Sequence, residues 1–579
     1  MIAAHSHGPL WLGDGRVRFR LWAPSRDGVV LDLDGRGPLP MAPQGDGWFA
    51  VETKAEPGAR YRFRLGDDLA VPDPASRAQA DDVHSWSLLV APDAYAWRHT
   101  DWPGRPWREA VIYEAHCGLL GGFKGVMARL PDLAALGVTA VQLMPVNAVS
   151  GTRNWGYDGV LPYAPATAYG TPDDLKALVD EAHGLGLMVL LDVVYNHFGP
   201  DGNYLPTYAE AFFDEGRHTP WGPAIAFGRA PVARFFIDNA LYWLETFRLD
   251  GLRFDAVHAI GDNAFLDRMA AELRARLPER ATHLILENET NDPERLSRDF
   301  DAQWNDDFHN VLHVLLTGET ESYYQDFAER PAERLARCLA EGFIYQGEGS
   351  PNHDGRPRGA PSGHLPPTAF VSFLQNHDQV GNRALGERLT RLVAADRLRA
   401  AMGLLLLAPQ IPMLFMGEED GSETPFLFFT DFHDDLADAV REGRRKEFAK
   451  FPAFADPQAR AAIPDPNALS TFEASRPRPG PDAEAWRALI GHLLRLRREH
   501  LAPHLDTATS LGATAIGDKA VEARWRLGPK TYTVAVNLGD APVRLAHAPE
   551  GPPLVVVGDK PYDGSLPAAA FAAWLEVTP

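Results

Sequence analysis

The stretch DDLKALVDEAHGLGLMVLLDVVYNH (173–197) places an amphipathic segment directly before a run of unbroken apolar character. In its first half apolar residues recur at spacings of three and four, the period of a helix with one buried face. In its second half residues 187–191 are all apolar, which suits a strand buried on both faces better than a half-exposed one. The run then ends in Asp192, Asn196 and His197, so polar chemistry collects where the strand leaves the core. A helix feeding a doubly buried strand is the repeating unit of a parallel sheet.

Working outward, seven more runs of this kind appear: AVIYEAH (110–116), TAVQLMPV (139–146), GLRFDAVH (251–258), HLILENE (283–289), FDAQWN (300–305), AFVSFLQNHD (369–378) and IPMLFMGEE (411–419). Amphipathic stretches such as VARFFIDNALYWLETF (232–247) separate most of them. Eight strands with helical crossovers predict an α/β fold, a (β/α)8 TIM barrel within residues 98–502, with FDAQWN the weakest of the eight strand signals. The stretch AMGLLLLAPQIPMLFM (401–416) is interrupted by Pro409, Gln410 and Pro412 and is shorter than the ~20 residues of a membrane helix, so it reads as a buried helix entering a buried strand.

The flanks have a different period. RVRFRLWAP (16–24), GVVLDLDG (28–35) and ARYRFRLG (59–66) alternate between Gly, Pro and Asp clusters, which predicts an N-terminal β-sandwich over 1–97. VEARWRL and TYTVAVNLG place a C-terminal β-sandwich over 503–579. The linker AWRHTDWPGRPWREA (96–110) brings Trp102 and Trp107, expected at a domain interface. Long Gly/Pro-rich segments at 197–228 and 346–367 read as substrate walls or lids, the second equally as a surface excursion.

The balance of 56 Lys+Arg against 78 Asp+Glu gives 56 − 78 = −22, which disfavours nucleic acid and anionic membranes as partners. Two cysteines, Cys117 and Cys338, build no disulfide framework, and MIAAHSHGPLW lacks the apolar core of a secretory signal, so a cytoplasmic setting is expected.

In such a barrel, chemistry sits at the C-terminal ends of the strands. There the sequence supplies Asp192, Asn196 and His197, then Arg253, Asp255 and His258, then Glu287 and Glu289, then His377 and Asp378. Any one strand-end charge is readily explained as a solvated exit from the core; four clusters are not. No HxH or HExxH pattern sits at a strand end, the His5-Ser6-His7 run reads as incidental, and no Gly-rich phosphate loop follows a strand, so neither metal nor cofactor is expected. Paired carboxylates fit glycoside hydrolysis, in which one attacks the anomeric carbon and the other protonates the leaving oxygen. Arg253, two residues before Asp255, shares its strand face and favours the ionised form, which suits a nucleophile. Glu287 emerges from the apolar LIL, which suits an acid, with Glu289 as the alternative.

The blocks DVVYNH (192–197), GLRFDAVH (251–258), LILENE (284–289) and FLQNHD (373–378), in that order, resemble the four signature regions of the α-amylase family of glycoside hydrolases. The resemblance, with its flanking β-domains, covers nearly the whole chain. It implies Asp255 as nucleophile, Glu287 as acid/base and Asp378 as the third carboxylate, which binds sugar hydroxyls and favours ring distortion. It further implies Tyr157, His197, Arg253 and His377 around the −1 sugar, and Asp192 in support. Trp221, within HTPWG, and Trp155 are loop aromatics expected above this face. Asn196 matches a calcium-binding position of some amylases, without a complete oxygen set around it.

Within the family, NWGYDGVLPYAPATAYGTPDD (154–174), QNHDQVGNRALGERL (375–389) and REGRRKEF (441–448) resemble the branch that cleaves the α-1,4 bond beside a terminal trehalose. That resemblance implies a retaining α-glycosidase acting on a malto-oligosaccharide with terminal trehalose; nothing in the sequence calls for an obligate protein partner. The alternatives are a glycogen branching or debranching enzyme and a non-catalytic glucan-binding protein. Two departures from the family pattern are the short loop HCGLLGGFKG (116–125) after the first strand and ENETNDP (287–293), where a small residue and Asp commonly follow the acid. FLFFTDF (426–432) reads as core or as a wall on the trehalose side, and Glu418 and Glu419 share that ambiguity.

Overall fold

Eight parallel strands close into a barrel in chain order: β1 (Ile112–Ala115), β2 (Ala140–Leu143), β3 (Met188–Val193), β4 (Gly251–Phe254), β5 (His283–Leu286), β6 (Ala302–Trp304), β7 (Phe370–Ser372) and β8 (Ile411–Phe415), which pairs back onto β1. The computed structural model of the chain describes residues 6–577 except 67, 68, 92, 450, 548 and 550, and His5 of the terminal His-Ser-His run lies outside the described residues. All eight expected strands are present, each shorter than the run that announced it. FDAQWN, the weakest sequence signal, keeps three residues in the sheet, as does AFVSFLQNHD.

Alternation across each strand decides what faces the axis. Ile112, Ala140, Met188, Leu190, Ile285, Val371 and Met413 belong to one fully buried cluster inside the barrel. Gly251 is demanded by closure: a Cβ there would lie 2.4 Å from the His283 carbonyl oxygen and 2.9 Å from Leu190 Cδ2. The amphipathic segments become outer helices, among them Pro172–Gly184 and Ala230–Thr246. The first starts at a capping box in which Thr171 Oγ1 accepts from the Asp174 amide and Asp174 Oδ2 accepts from the Thr171 amide, with Pro172 in the first turn. The stretch 401–416 is the end of helix Ala395–Leu407 followed by β8. No helix among the described residues is long and apolar enough to cross a membrane.

The N-terminal segment forms two sheets, one of strands Leu10–Gly13, Arg16–Trp22, Trp48–Lys54 and Ala42–Gly45, the other built on Val30–Leu33 and Arg60–Arg64. Phe19, Leu21, Leu31, Tyr61 and Phe63 are buried between them. The C-terminal segment forms a five-stranded sheet from Thr509–Gly517 to Ala570–Val577 and a two-stranded one.

Trp102 and Trp107 correct an expectation, because they seal the floor of the barrel. Both pack against its inner cluster: Trp102 stacks on His183 at 4.9 Å, and the Trp107 indole N–H reaches the Thr368 carbonyl at 2.9 Å. Beneath β4, Asp250 is fully buried and accepts from the Trp102 indole at 2.7 Å, from the Val189 amide at 2.8 Å and from His183 Nε2 at 2.9 Å. Asp250→Ala strands these donors without water, so a loss of about 3 kcal/mol or more is expected, read as a lower thermal midpoint with the catalytic face untouched.

Candidate active site

The C-terminal mouth of the barrel is organised around one guanidinium. Arg253, 1% exposed on β4, donates from Nη1 to both Asp192 oxygens and to Asp255 Oδ1, each at 2.8 Å, and Nη2 stands 3.2 Å from Glu287 Oε2. Three barrel strands meet there because Asp192 pairs in register with Arg253 across β3 and β4, and Arg253 with Ile285 across β4 and β5. The guanidinium lies 4.0 Å over the Trp304 ring at the end of β6.

Asp255 uses its other oxygen as well, since Asn196 Nδ2 donates to Oδ2 at 2.7 Å and to the Asp255 carbonyl at 2.9 Å. The carboxylate is thus clamped at both ends while the residue keeps 9% exposure into the cleft. Asn196, weighed from sequence as a calcium position, spends its amide nitrogen on this clamp. Among the described residues no group of three or more His, Cys, Asp and Glu converges as a metal site.

The backbone after Asp255 is strained: Ala256 has φ 39° and ψ 52°, a conformation unusual for a residue with a Cβ. That turn points the Ala256 N–H at Glu287 Oε2, 2.6 Å away. With Oε2 accepting from Ala256 and facing Arg253, Oε1 is left to carry a proton. Burial raises the Glu287 pKa well above the usual carboxylate range, and the charges of Asp255, Asp306 and Asp378 add to it against Arg253. Glu289 is exposed and pairs loosely with His258 at 3.6 Å, so only Glu287 reaches the guanidinium.

On the opposite wall Tyr157 donates its hydroxyl to Asp192 Oδ2 at 2.7 Å and stacks on His377 with centroids 5.0 Å apart. Burial holds its phenol well above the ordinary range, so it stays neutral. Asp192 itself is pushed up to about 6 by burial. Asp378, part-exposed at the start of the short helix His377–Gly381, has its Oδ1 3.0 Å from Asn382 Nδ2 and 3.8 Å from His377 Nε2. His197 bonds to Asn196 and is stacked by Trp221 at 5.1 Å, and burial lowers its pKa, favouring the neutral ring. Trp221 sits between hairpin strands Phe213–Thr219 and Gly222–Ile225 and is 50% exposed, an open aromatic face beside the pocket. Asp255, Glu287, Asp378, Tyr157, His197, Trp221, Arg253 and His377 are therefore joined, through Asp192 and Asn196, in one network of contacts.

Other expectations are redirected. Trp155 is buried, its indole bonded to the Leu427 carbonyl and its ring stacked on Phe426, so it packs a wall. Phe426, Phe429 and Phe432 are buried, which makes FLFFTDF mainly core. Glu418 accepts from the Phe415 amide and Gln375, and Glu419 from Tyr113 and Arg129, leaving both as buried struts. The excursion 346–367 is tied down by Arg358, which donates to the Glu289 carbonyl at 2.8 Å and pairs with Asp307 at 3.0 Å.

Three residues escaped the sequence reading. Asp306, after β6, accepts from Gln379 at 3.2 Å, and burial together with Asp378 pushes it up to about 7. Trp304 supports Arg253 from below. Glu114, on β1, receives His377 Nδ1 at 2.6 Å and the His377 amide at 3.0 Å. Its signal was present, a carboxylate inside the apolar run AVIYEAH and in phase with the inward Ile112.

Residues 75–215 match the family model for the alpha amylase catalytic domain, and residues 508–572 match a domain of unknown function, DUF3459. The chain is 42% identical to the malto-oligosyltrehalose trehalohydrolase of Saccharolobus solfataricus, with 75% of this chain and 79% of that protein covered. It is 39% identical to the malto-oligosyltrehalose trehalohydrolase of Deinococcus radiodurans, with 90% and 89% covered. A crystal structure from Salmonella typhimurium, described as that of a candidate alpha amylase, superimposes with a TM-score of 0.94 at 46% identity, over 99% of this chain and 100% of that one.

Proposed function

The chain belongs to the malto-oligosyltrehalose trehalohydrolases of the α-amylase family, and from that premise we propose that its cleft hydrolyses the α-1,4 bond beside a terminal trehalose by double displacement. The observation that supports the mechanism is the shared guanidinium, 2.8 Å from Asp255 Oδ1 and 3.2 Å from Glu287 Oε2, which brings the two carboxyl groups together. Asp255 attacks the anomeric carbon as Glu287 gives its Oε1 proton to the departing trehalose oxygen, forming a β-glycosyl ester. Glu287, now ionised, takes a proton from water. The resulting hydroxide equivalent cleaves the ester and releases the malto-oligosaccharide with its α configuration retained. For this course the carboxyl groups need to stand about 5–5.5 Å apart in the substrate complex.

Asp378 and His377 hold sugar hydroxyls in this reading. Tyr157 offers its ring to the sugar C–H face, and His197 and Trp221 continue that wall. Trp221→Ala is expected to raise KM about threefold to tenfold with little change in kcat or thermal midpoint, because the ring is exposed and contributes binding area rather than core. Steady-state kinetics beside a melting curve check this. The division at 97 and 502 goes with the proposal; deleting 1–97 and measuring glucan affinity asks whether the leading sheets bind substrate. Two free, buried cysteines support a cytoplasmic setting.

The deciding experiment is chromatography of products from maltopentaose and, separately, maltotriosyltrehalose. Trehalose and maltotriose from the second, with little turnover of the first, are expected. Equal hydrolysis of maltopentaose overturns the trehalose reading and leaves a general amylolytic enzyme, and new α-1,6 linkages in amylose would make it a branching enzyme.

A further inference from the structure

We propose that Glu114 is a positioning residue for sugar binding, holding the His377 ring as an imidazolium whose Nε2–H faces the −1 sugar as a fixed hydrogen-bond donor. The inference rests on the reading of this cleft as a glucosidase site and adds a residue and a protonation state to it.

The geometry leaves the ring no freedom. Glu114 is 0% exposed, and it holds His377 twice, Oε1 on Nδ1 at 2.6 Å and Oε2 on the backbone N–H at 3.0 Å. Tyr157 stacks on one face, while Trp155 meets the ring edge-on at 5.7 Å and Trp304 lies tilted at 6.0 Å. With Nδ1 committed to the carboxylate, Nε2 is the atom turned toward Asp378, 3.8 Å from its Oδ1.

The charges then select the state. The ionisable groups facing His377 are Glu114 from β1, His116 just beyond it, Tyr157 after β2, Asp192 on β3, Arg253 on β4 and its neighbour Asp378. Arg253 already serves Asp192, Asp255 and Glu287, so among the described residues His377 is the cation in direct contact with Glu114. His116 is lowered to about 4 by burial and supplies no charge at neutral pH. A buried carboxylate without a partner is strongly disfavoured. Burial and Arg253 oppose protonation of His377, but Glu114, aided by Asp378, outweighs them and raises the ring to about 9.

The pair matters for the reaction because it sums to zero charge. A donor is presented beside Asp378, an acceptor, without adding positive charge next to a transition state that is itself cationic. A neutral ring bonded through Nδ1–H would instead present Nε2 as a second acceptor.

The test uses the full-length chain labelled with 15N-histidine, the His377 signal being assigned by its loss in His377→Gln. Both ring nitrogens of His377 are expected to be protonated at pH 7. Kinetics are measured on α-maltosyl fluoride, whose leaving group needs no proton from Glu287, so an alkaline limb there reports His377. That limb is expected near pH 9. Glu114→Gln should lower kcat about 10²-fold and move the limb below pH 7, while Glu114→Asp keeps it high. In a His377→Gln background, Glu114→Gln should change kcat by less than about twofold, since its effect passes through the ring. A neutral His377 in the native protein overturns the proposal, as does a Glu114→Gln variant with an unshifted profile. Failure to release trehalose would overturn the activity reading alone, because the 15N spectrum needs no turnover.

Discussion

Asp255→Asn is expected to lower kcat on maltotriosyltrehalose by about 10⁴-fold or more while the protein stays folded. The substitution is nearly isosteric, so Arg253 and Asn196 keep a planar group between them, 2.8 Å and 2.7 Å from its present oxygens. What is lost is nucleophilicity, because a neutral amide oxygen cannot give the glycosyl ester that water later cleaves. Its amide nitrogen must also face one of two donors, Arg253 or Asn196, so a modest fall in thermal midpoint accompanies the loss. The companion measurement is mass spectrometry of wild-type peptides after an acid quench during turnover, with the glycosyl adduct expected on the peptide carrying Asp255. Retention of even one hundredth of wild-type kcat would remove Asp255 from the nucleophile's role.

The parts of this site that were legible share one physical origin. A doubly buried parallel strand tolerates an ionisable residue only near its C-terminal end, where the loops can satisfy it, so Asp192, Arg253, Asp255, Glu287 and His377 stand out against apolar runs. The eight strands were legible for the same reason, and even the three-residue β6 could be placed between its neighbours. Glu114 shows the limit. It obeys the same rule, yet AVIYEAH carries no second residue at sequence spacing to mark it, because its partner His377 is 263 residues away. Trp102 and Trp107 were misplaced because a Trp/Pro-rich linker looks the same whether it joins two domains or seals a barrel floor. Trp155 and Trp221 differ little in local sequence; only packing shows that one is enclosed and the other 50% exposed.

The two carboxyl groups sit in different surroundings. Asp255 has a donor on each oxygen, whereas Glu287 is held through Oε2 alone, by the Ala256 N–H at 2.6 Å and Arg253 at 3.2 Å, and its raised pKa reflects burial and three anionic neighbours. These surroundings support the proposed roles, Asp255 as nucleophile and Glu287 as proton donor. Asp306, raised to about 7 by burial and by Asp378, adds its charge to the rise of Glu287 when it ionises.

Glu287→Gln should cost about 10³-fold in kcat on maltotriosyltrehalose, because the departing trehalose oxygen then leaves unprotonated. On α-maltosyl fluoride the first step should stay within about tenfold of wild type, since fluoride departs without a proton. The second step lacks its base, so the glycosyl-enzyme accumulates and a burst of fluoride appears. The pH profile on the natural substrate changes in a defined sense. Wild-type kcat/KM falls as pH rises through the raised Glu287 pKa, the acid form being the active one, and the Gln variant loses that limb. Stability follows the same linkage with the sign worked through. A carboxyl whose folded pKa exceeds its unfolded value binds more proton when folded, so its stabilisation is complete below the unfolded pKa and is lost as pH rises through the folded one. The melting temperature of Glu287→Gln relative to wild type should therefore climb with pH across that interval. A fluoride substrate slowed as severely as the oligosaccharide would assign the proton to another group.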